Sequence, residues 1–464
     1  MAKSVHSNNA TFRWGIAAGV ALLTLVVRLP WLSSPGFVID QAYFVQWSEI
    51  SRSPSQCNPP GGLGSVYQKK IVSEQYWCNY PPVYILCLRV LAGLYDILAP
   101  ADHALDAQLV RYVANMDTSA PTRLAYALYK IPAVAADVIL AALLFLLLVR
   151  RRPWRQALAV AALYGLMPAV IHNSTIWGQV DAIPTLLLVI SLEMARRRQL
   201  VWMTIVAALA VLTKAQSVMM APLWLVVAIG WGRWDGRRWL AMLGSGLAVV
   251  VVVLFPFRFS LDGVAEAYLG AANYYPFTHL NGFSAWFLKT PMTEPHLAEM
   301  SIWYASDLEP GFLGVRLRHW GLIGVFAVWA YAVVMLWRRR CDDHTLAWAA
   351  RVLPLAFFLW STQMHERYLF PAIGVWAWSF YHSRRWWLAW IAIGLCSALN
   401  QLWVWPGHPD AVWTDAFGTL LYRPWLGMAP GVWCSFALIV VFFHTLIARE
   451  EGKKDREEPL IESG

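Results

Sequence analysis

The chain has 464 residues, of which 58% are hydrophobic and 14% are charged, whereas a soluble domain carries about 25% charged residues. So few charges cannot cover a water-exposed surface, and the 28 Trp residues suit a boundary between lipid and water. Composition therefore indicates an integral membrane protein. The net charge of +9 does not indicate a nucleic-acid partner, because the basic residues form short clusters after apolar runs rather than a groove that follows phosphates.

Apolar segments recur along the chain, and the longest approach the roughly 20 residues that a helix needs to cross a membrane. They predict an all-α polytopic membrane protein with about 12 transmembrane helices, in one membrane domain over residues 1–464. The predicted spans are 14–32, 124–149, 156–172, 180–195, 200–213, 217–232, 239–257, 316–337, 344–361, 369–382, 386–404 and 429–447.

Arginine clusters set the direction of these spans, because Lys and Arg collect in the cytoplasmic loops of membrane proteins. With cytoplasmic N- and C-termini, every cluster comes out on the same side: 150–155, 196–198, 233–238, 338–340, 384–385 and the charged tail 449–464. We expect a bacterial inner membrane rather than the endoplasmic reticulum, because no retention signal is present at the C-terminus.

Long connections then lie on the outer side, namely 33–123, 258–315 and 405–428. In the first, an amphipathic stretch at 43–50 and an apolar run at 80–98 are predicted to be interfacial helices. A span at 80–98 would place the first arginine cluster on the wrong side. Cys57 and Cys78 share this loop and could form a disulfide if the loop faces an oxidising space.

Asp40 follows the first predicted span and precedes an aromatic run. A carboxylate at a helix start at the membrane surface fits two roles equally well, an N-cap or a catalytic base. Further along, the corner at 172–181 holds more polar residues than a plain turn needs. Gln179 and Asp181 would lie at the lipid boundary, where unpaired polar groups are costly. Their alternatives are a hydrogen-bonded packing cluster and a binding site.

Two further groups bring cations to the outer side. Lys214 closes an apolar span there, and an isolated cation calls for an anionic partner such as a phosphate. His365, Glu366 and Arg367 are three consecutive ionisable residues at a membrane boundary, which is costly unless they bind a ligand or each other. The guanidinium of Arg367 suits a phosphate, His365 would add a hydrogen bond and Glu366 would orient either one. The alternative is a Glu366–Arg367 pair that fixes the helix corner.

An ordered series of motifs over about residues 14–382 resembles the GT-C superfamily of polyprenyl-phosphate-sugar-dependent glycosyltransferases. It is closest to bacterial proteins similar to the second GPI-anchor mannosyltransferase. The series consists of Asp40 with Tyr43 and Trp47, then 79–82, 130–133 with Asp137, 177–182, 213–216, 281–286 and 364–371. Asn79 stands where relatives often have Asp, and Ala215 interrupts a Lys-Pro-Gln pattern. These departures bear on the donor sugar more than on the reaction type.

The resemblance implies a polyprenyl-phosphate monosaccharide donor, carrying mannose or another hexose, and inverting transfer on the outer face. The acceptor would be a hydroxyl of a glycan, glycolipid or protein. Asp40 stands at the family's general base. The residues that would bind the donor phosphate are Arg367, His365 and Lys214. Those that would bind the sugar or the acceptor are Trp177, Gln179, Asp181, Glu366, Tyr80 and Asn281. No cofactor is expected and we predict metal independence, because protein cations face a monophosphate leaving group and no second acid stands beside Asp40.

Two rival functions remain. A lipid-linked sugar flippase or transporter would need ionisable residues along its spans, and the few candidates are Asp137, Glu193 and Arg351. A noncatalytic membrane scaffold would leave the polar clusters apart from one another. The positions of these side chains relative to each other separate the readings.

Overall fold

The computed structural model describes residues 10–52, 62–67, 78–98, 123–232, 235–270, 275–289, 305–380, 386–404, 426 and 428–448. Within these ranges the protein is an α-helical membrane protein, and the one sheet is a pair of two-residue strands. The helices are α1 Ala10–Val26, α2 Leu29–Leu32, α3 Val38–Arg52, α4 Pro82–Leu98, α5 Arg123–Leu148, α6 Trp154–Leu166, α7 Pro168–Ile171, α8 Ala182–Arg196, α9 Leu200–Thr213, α10 Ala221–Gly232, α11 Gly236–Leu254, α12 Leu261–Leu269, α13 Leu317–Arg338, α14 Asp343–Trp360, α15 Phe370–Ser379, α16 Trp387–Val404 and α17 Pro430–Ile447.

A helix occurs at each predicted span, but several of these helices are shorter than a membrane-crossing helix needs to be. Five of those described are long and apolar enough to cross a membrane, or up to six if the pair α6 and Pro168–Trp177, bent by 46°, counts as one. The prediction of an all-α membrane protein is confirmed. The helix α11 has one apolar, exposed face, formed by Leu240, Leu243, Leu247 and Val251, and such a face is typical of contact with hydrocarbon.

The segments of the predicted first outer loop fold as helices where they are described. The stretch 43–50 lies within α3, and all but the first two residues of the run 80–98 form α4. Their position at the membrane interface stays a prediction. Cys78 is buried as a free thiol, and Cys57 lies outside the described residues. So do most of the loop 405–428 and the tail 449–464.

The arginine-bearing turns meet at one end of the helix bundle. Arg151 donates to Asp343 Oδ2 at 2.7 Å, and Arg196 lies 3.8 Å from the same oxygen. Arg152 donates to the carbonyl oxygen of Phe380 at 3.1 Å. The turns after α5, α8 and α15 and the start of α14 therefore share one end, which we call the arginine end.

Two ionisable side chains within the helices are neutralised by protein partners. Asp137 accepts hydrogen bonds from Arg28 at 3.2 Å and from the Tyr164 hydroxyl at 2.9 Å. Glu193 pairs with both Arg196 and Arg197 at 2.6 Å, close to the arginine end. The Asp137 contacts join α5 to α6 and to the residue before α2, whereas the two ion pairs of Glu193 lie within α8 and its C-cap. Both acids thus have the partners that buried charges require.

Candidate functional site

The ten residues predicted to form a site lie in the described part of the chain, at the end of the bundle opposite the arginine end. The helix α8 relates the two ends, since Asp181 precedes its first residue and Arg196 is its last. Its 15 residues cover about 22 Å at 1.5 Å per residue. Five segments converge at this site end: the start of α3, the turn before α4, the segment 172–181, the turn after α9 and the corner 361–369.

Asp40 accepts two hydrogen bonds from side chains of another segment. Its Oδ2 accepts from Nε1 of Trp177 at 2.6 Å and from Nε2 of Gln179 at 2.5 Å. Asp40 is the third residue of α3, so the N-cap reading is not supported. Its Oδ1 accepts no hydrogen bond from the residues that the structure describes, and the side chain is half-buried. The carboxylate is thus held by neutral donors, with one oxygen available to a ligand.

A π-helical segment, His172–Trp177, aims these donors at Asp40. Sequence reasoning treated this stretch as a turn, but the wide helix continues from α7 and ends at Gly178, where φ is +82°. A Cβ at this position would lie 2.4 Å from Nε2 of Gln41, which donates to the Gly178 carbonyl oxygen at 3.0 Å. Glycine is therefore needed twice over, and π-helical turns of this kind often occur at functional sites.

Trp177 links Asp40 to a cation. Its ring is buried and stacks on Phe37 at 4.5 Å between centroids, while its N–H donates to Asp40. The guanidinium carbon of Arg367 lies 5.8 Å from the indole centroid, within the range of a cation–π contact. Burial lowers the pKa of Arg367, but the carboxylates of Asp40 and Glu366 raise this pKa by more than burial lowers it. The pKa therefore lies above its ordinary value. Asp40 and Arg367 are therefore brought together.

Arg367 also forms the ion pair with Glu366 that the sequence analysis gave as the alternative to ligand binding. Its Nη1 donates to Glu366 Oε1 at 2.5 Å. Burial raises the pKa of Glu366, but the charge of Arg367 and a contact with His365 lower it to about 2. The Nε of Arg367 is buried and has no partner among the described residues. The pair thus leaves one guanidinium donor for another acceptor.

Lys214 is not isolated, contrary to the sequence-based expectation. Its ammonium forms a buried ion pair with Asp181, which also accepts from Asn173 at 3.1 Å and from Gln216 at 3.3 Å. The anionic partner that the sequence called for is thus a side chain of the same protein. Burial lowers the pKa of Lys214, and Asp181 opposes that shift. The packing-cluster reading of Asp181 fits these contacts.

Tyr80 extends the hydrogen-bonded chain that begins at Asp40. Its hydroxyl donates to Gln179 Oε1 at 3.0 Å, and the amide of Gln179 donates in turn to Asp40. The Tyr80 ring packs against Phe44 and Trp47 of α3, at 5.6 and 5.4 Å between centroids. The buried rings of Phe44 and Trp47 therefore hold Tyr80 in place beside Gln179.

His365 and Asn281 lie at the periphery. Strand β1, His279–Leu280, pairs in parallel with β2, Met364–His365, and Asn281 bridges His365 through the backbone. The His365 Nδ1 lies 3.7 Å from Glu366 Oε2. No hydrogen bond joins His365 to Asp40 within the described ranges. His365 thus lies within the corner 361–369 and Asn281 beside it, rather than next to Asp40.

Sequence reasoning assigned no role to three residues that shape the site. Gln41 donates a hydrogen bond to the carbonyl oxygen of Gly178. The Lys214 ammonium lies 5.3 Å from the centroid of the Tyr368 ring. The buried carboxylate of Asp307 accepts hydrogen bonds from Thr362 and Gln363 at 3.0 and 2.9 Å. Gln41 and Tyr368 adjoin singled-out residues, so proximity in sequence was a usable signal. Asp307 gave none: it pairs with Arg318 at 2.9 Å, but Thr362 and Gln363, which connect it to the site, lie 55 and 56 residues further along the chain.

Metal-ligand geometry does not occur in the described part of the chain: no three His, Cys, Asp or Glu side chains come together there, and metal independence stays a prediction. No protein-family model matches this chain, and no curated protein matches it either. What the protein does is therefore inferred from its own residues.

Proposed function

We propose that the protein is a membrane glycosyltransferase that moves a monosaccharide, mannose or another hexose, from a polyprenyl-phosphate donor to a hydroxyl acceptor with inversion. One observation carries the proposal: the carboxylate of Asp40 and the guanidinium of Arg367 contact the same indole, that of Trp177. The reaction needs a base at the attacking oxygen and a positive charge at the leaving oxygen. Asp40 and Arg367, on the same indole, are suited to these two roles.

Asp40 Oδ1 accepts the proton of the acceptor hydroxyl while that oxygen bonds to C1 of the donor sugar. Such proton acceptance typically contributes about 10²- to 10⁴-fold to the rate. The bond from C1 to the phosphate oxygen breaks, and the lipid monophosphate leaves with the electron pair. The buried, unpartnered Nε of Arg367 is suited to stabilising this charge, since preorganised donors act strongly where water is excluded.

The neighbouring residues position these groups. Gln179 and Trp177 fix the carboxylate, and Tyr80 orients the Gln179 amide. Lys214, held by Asp181, contributes positive charge next to Tyr80 and Tyr368. In this proposal Glu366 orients Arg367, while His365 and Asn281 contact the donor from the rim.

The proposed membrane arrangement is of GT-C type, with about 12 spans, cytoplasmic termini and a periplasmic site in a bacterial inner membrane. The separation of the arginine end from the site by the length of α8 supports it. By the rule that Lys and Arg collect in the cytoplasm, the site end would face the periplasm.

A transporter or flippase is favoured less. Such a protein needs ionisable residues that line a path, but Asp137 and Glu193 are each held by cationic partners. A scaffold would not require the acid and the unpartnered guanidinium donor to share one ring.

The test is a donor panel. Purified protein is incubated with polyprenyl-phosphate hexoses and pentoses and a hydroxyl acceptor such as an alkyl glycoside, and release of free polyprenyl phosphate is followed. Polyprenyl phosphate without a sugar serves as the blank. At least one donor is expected to yield free lipid phosphate together with glycosylated acceptor. Passage of intact donor across a vesicle bilayer, with no phosphate release from any donor, would establish the flippase instead.

A further inference from the structure

A cavity of about 1170 Å³ lies at the arginine end, far from the site described above. It opens between the start of α9, the end of α10, the start of α11 and the end of α13. Four arginines and two indoles are the chemically distinctive residues of its lining: Arg198, Arg237, Arg238, Arg340, Trp231 and Trp337.

The positive charge of this cavity is largely unmatched. Asp235 pairs with Arg238 at 3.3 Å, and the other three arginines form no ion pair with an acid among the described residues. Four arginines and one aspartate therefore leave a charge of +3 at the cavity. The guanidinium of Arg198 lies 4.9 Å from the Trp231 ring centroid, which holds it in place by a cation–π contact.

Two of these arginines occupy backbone positions that normally favour glycine. Arg198 and Arg340 have φ of 58° and 51°, and each ends its helix with the same pair of hydrogen bonds. Arg198 N donates to Ala195 O and the next N–H to Met194 O; Arg340 N donates to Trp337 O and the next to Leu336 O. This cap usually has Gly at the left-handed residue, because a side chain with a Cβ is strained there. Both arginines line the same cavity despite that strain.

The remaining lining is apolar and continues onto a lipid-facing surface. Leu200, Val201, Met242 and Leu336 line the cavity. Trp337 of α13, which also lines the cavity, is 57% exposed, and beside the cavity Leu243 of α11 is 63% exposed. Cations at the bundle end and apolar side chains toward its middle match a molecule with a charged head and hydrocarbon tails.

We propose that this cavity binds an anionic phospholipid, with the phosphate headgroup on the arginines and an acyl chain along the exposed side chains of Val201 and Trp337. Guanidinium groups form two-pronged, charge-assisted hydrogen bonds with phosphate, and basic pockets between transmembrane helices bind anionic headgroups. A soluble phosphate would use the same arginines but would leave the apolar lining uncovered. The site is independent of the proposed transferase reaction.

Binding is measured on the purified full chain in neutral detergent, by titration with fluorescently labelled phosphatidylglycerol and competition with unlabelled phosphatidylglycerol, phosphatidylcholine or inorganic phosphate. Phosphatidylglycerol is expected to compete, and the other two are not. Arg198→Gln and Arg340→Gln are each expected to weaken binding about fivefold, the effect of one cation near an anionic lipid.

Arg339→Gln is the matched control, because Arg339 is exposed in the same turn but does not line the cavity. It is expected to leave binding unchanged. An equal loss with Arg339→Gln and Arg340→Gln would show unspecific attraction to the bundle end and overturn the proposal. Competition by inorganic phosphate as effective as that by phosphatidylglycerol would overturn the lipid as occupant, and Arg237→Gln provides a second cavity variant if Arg198→Gln does not fold.

Discussion

Two aspartates at the same end of the bundle are bound in opposite ways. Asp40 is held at one oxygen by two neutral donors, from Trp177 and Gln179. Asp181 is fully buried and uses both oxygens, in an ion pair with Lys214 and hydrogen bonds from two amides. A carboxylate that is saturated by partners stabilises structure, whereas one with an open oxygen can accept a proton.

The cations differ in the same way. Lys214 is engaged by Asp181, while Arg367 retains a buried Nε without a partner in the described part of the chain. Buried polar groups are normally satisfied. An unpartnered Nε on Arg367 and an open oxygen on Asp40, whose side chains both contact the Trp177 indole, therefore indicate a place for a ligand. The comparison predicts that Asp40 and Arg367 affect turnover, and that Asp181 and Lys214 affect stability.

The largest effect is expected for Asp40→Asn. The amide cannot take the acceptor proton, so the rate of sugar transfer should fall about 10²- to 10⁴-fold while the thermal unfolding temperature changes little. Both are measured on purified protein with the active donor. Asp262→Asn is the matched control, because Asp262 is an exposed acid in the first turn of α12, and it should keep full activity. Near-normal turnover of Asp40→Asn would remove Asp40 from the mechanism.

The second effect concerns stability and is expected for Asp181→Asn. It leaves the buried Lys214 without its counter-charge, which typically costs about 3–5 kcal/mol of unfolding free energy. Chemical denaturation in detergent measures the loss. The double change Asp181→Asn with Lys214→Met should recover most of it, because a buried ion pair can be replaced by neutral groups at little cost. No recovery in the double variant would mean that the pair is not the source of the loss.

The contrast between the aspartates was only partly readable from the sequence. Apolar runs indicate where helices lie, because a helix in lipid needs a nearly continuous apolar surface. The same reasoning singled out Asp40, Asp181 and Arg367 as polar groups at helix ends. It could not tell which carboxylate was free, because the ion pair of Lys214 with Asp181 joins residues 33 positions apart and depends on how α8 packs against α9.

Local backbone geometry was the second feature that sequence reasoning missed. A π-helical turn has no simple residue signature, and Gly178 resembles any turn glycine. Its requirement arises from Gln41, which approaches from another segment. Likewise, Asp307 stabilises the corner before His365, although Asp307 itself belongs to no motif of the sequence. Such contacts are set by tertiary packing.

Arg367→Ala is expected to have a smaller effect than the aspartate changes. Loss of one charge-assisted contact with the leaving phosphate costs about 1.5–3 kcal/mol, which should lower kcat/KM for the donor about tenfold or more and leave the KM for the acceptor nearly unchanged. Steady-state kinetics with each substrate varied in turn measures the split. Arg258→Ala removes an exposed arginine and should change neither. A rise in the KM for the acceptor as large as that for the donor would assign Arg367 to the corner structure alone.

The smallest effect is expected for Gly178→Ala, which tests the backbone turn that positions the hydrogen-bond donors to Asp40. Gly178→Ala forces a Cβ into a left-handed position that contacts Gln41, at a cost of about 1–2 kcal/mol. Because Trp177 and Gln179 flank this glycine, part of that cost should appear as misplacement of the donors to Asp40, and we expect lower turnover as well as a lower unfolding temperature. Gly19→Ala is the control, since a Cβ there meets nothing within 4 Å and alanine favours a helix. If Gly178→Ala loses stability but keeps full turnover, the π-helical turn is not needed for catalysis, because Asp40 then works without the geometry that this turn imposes.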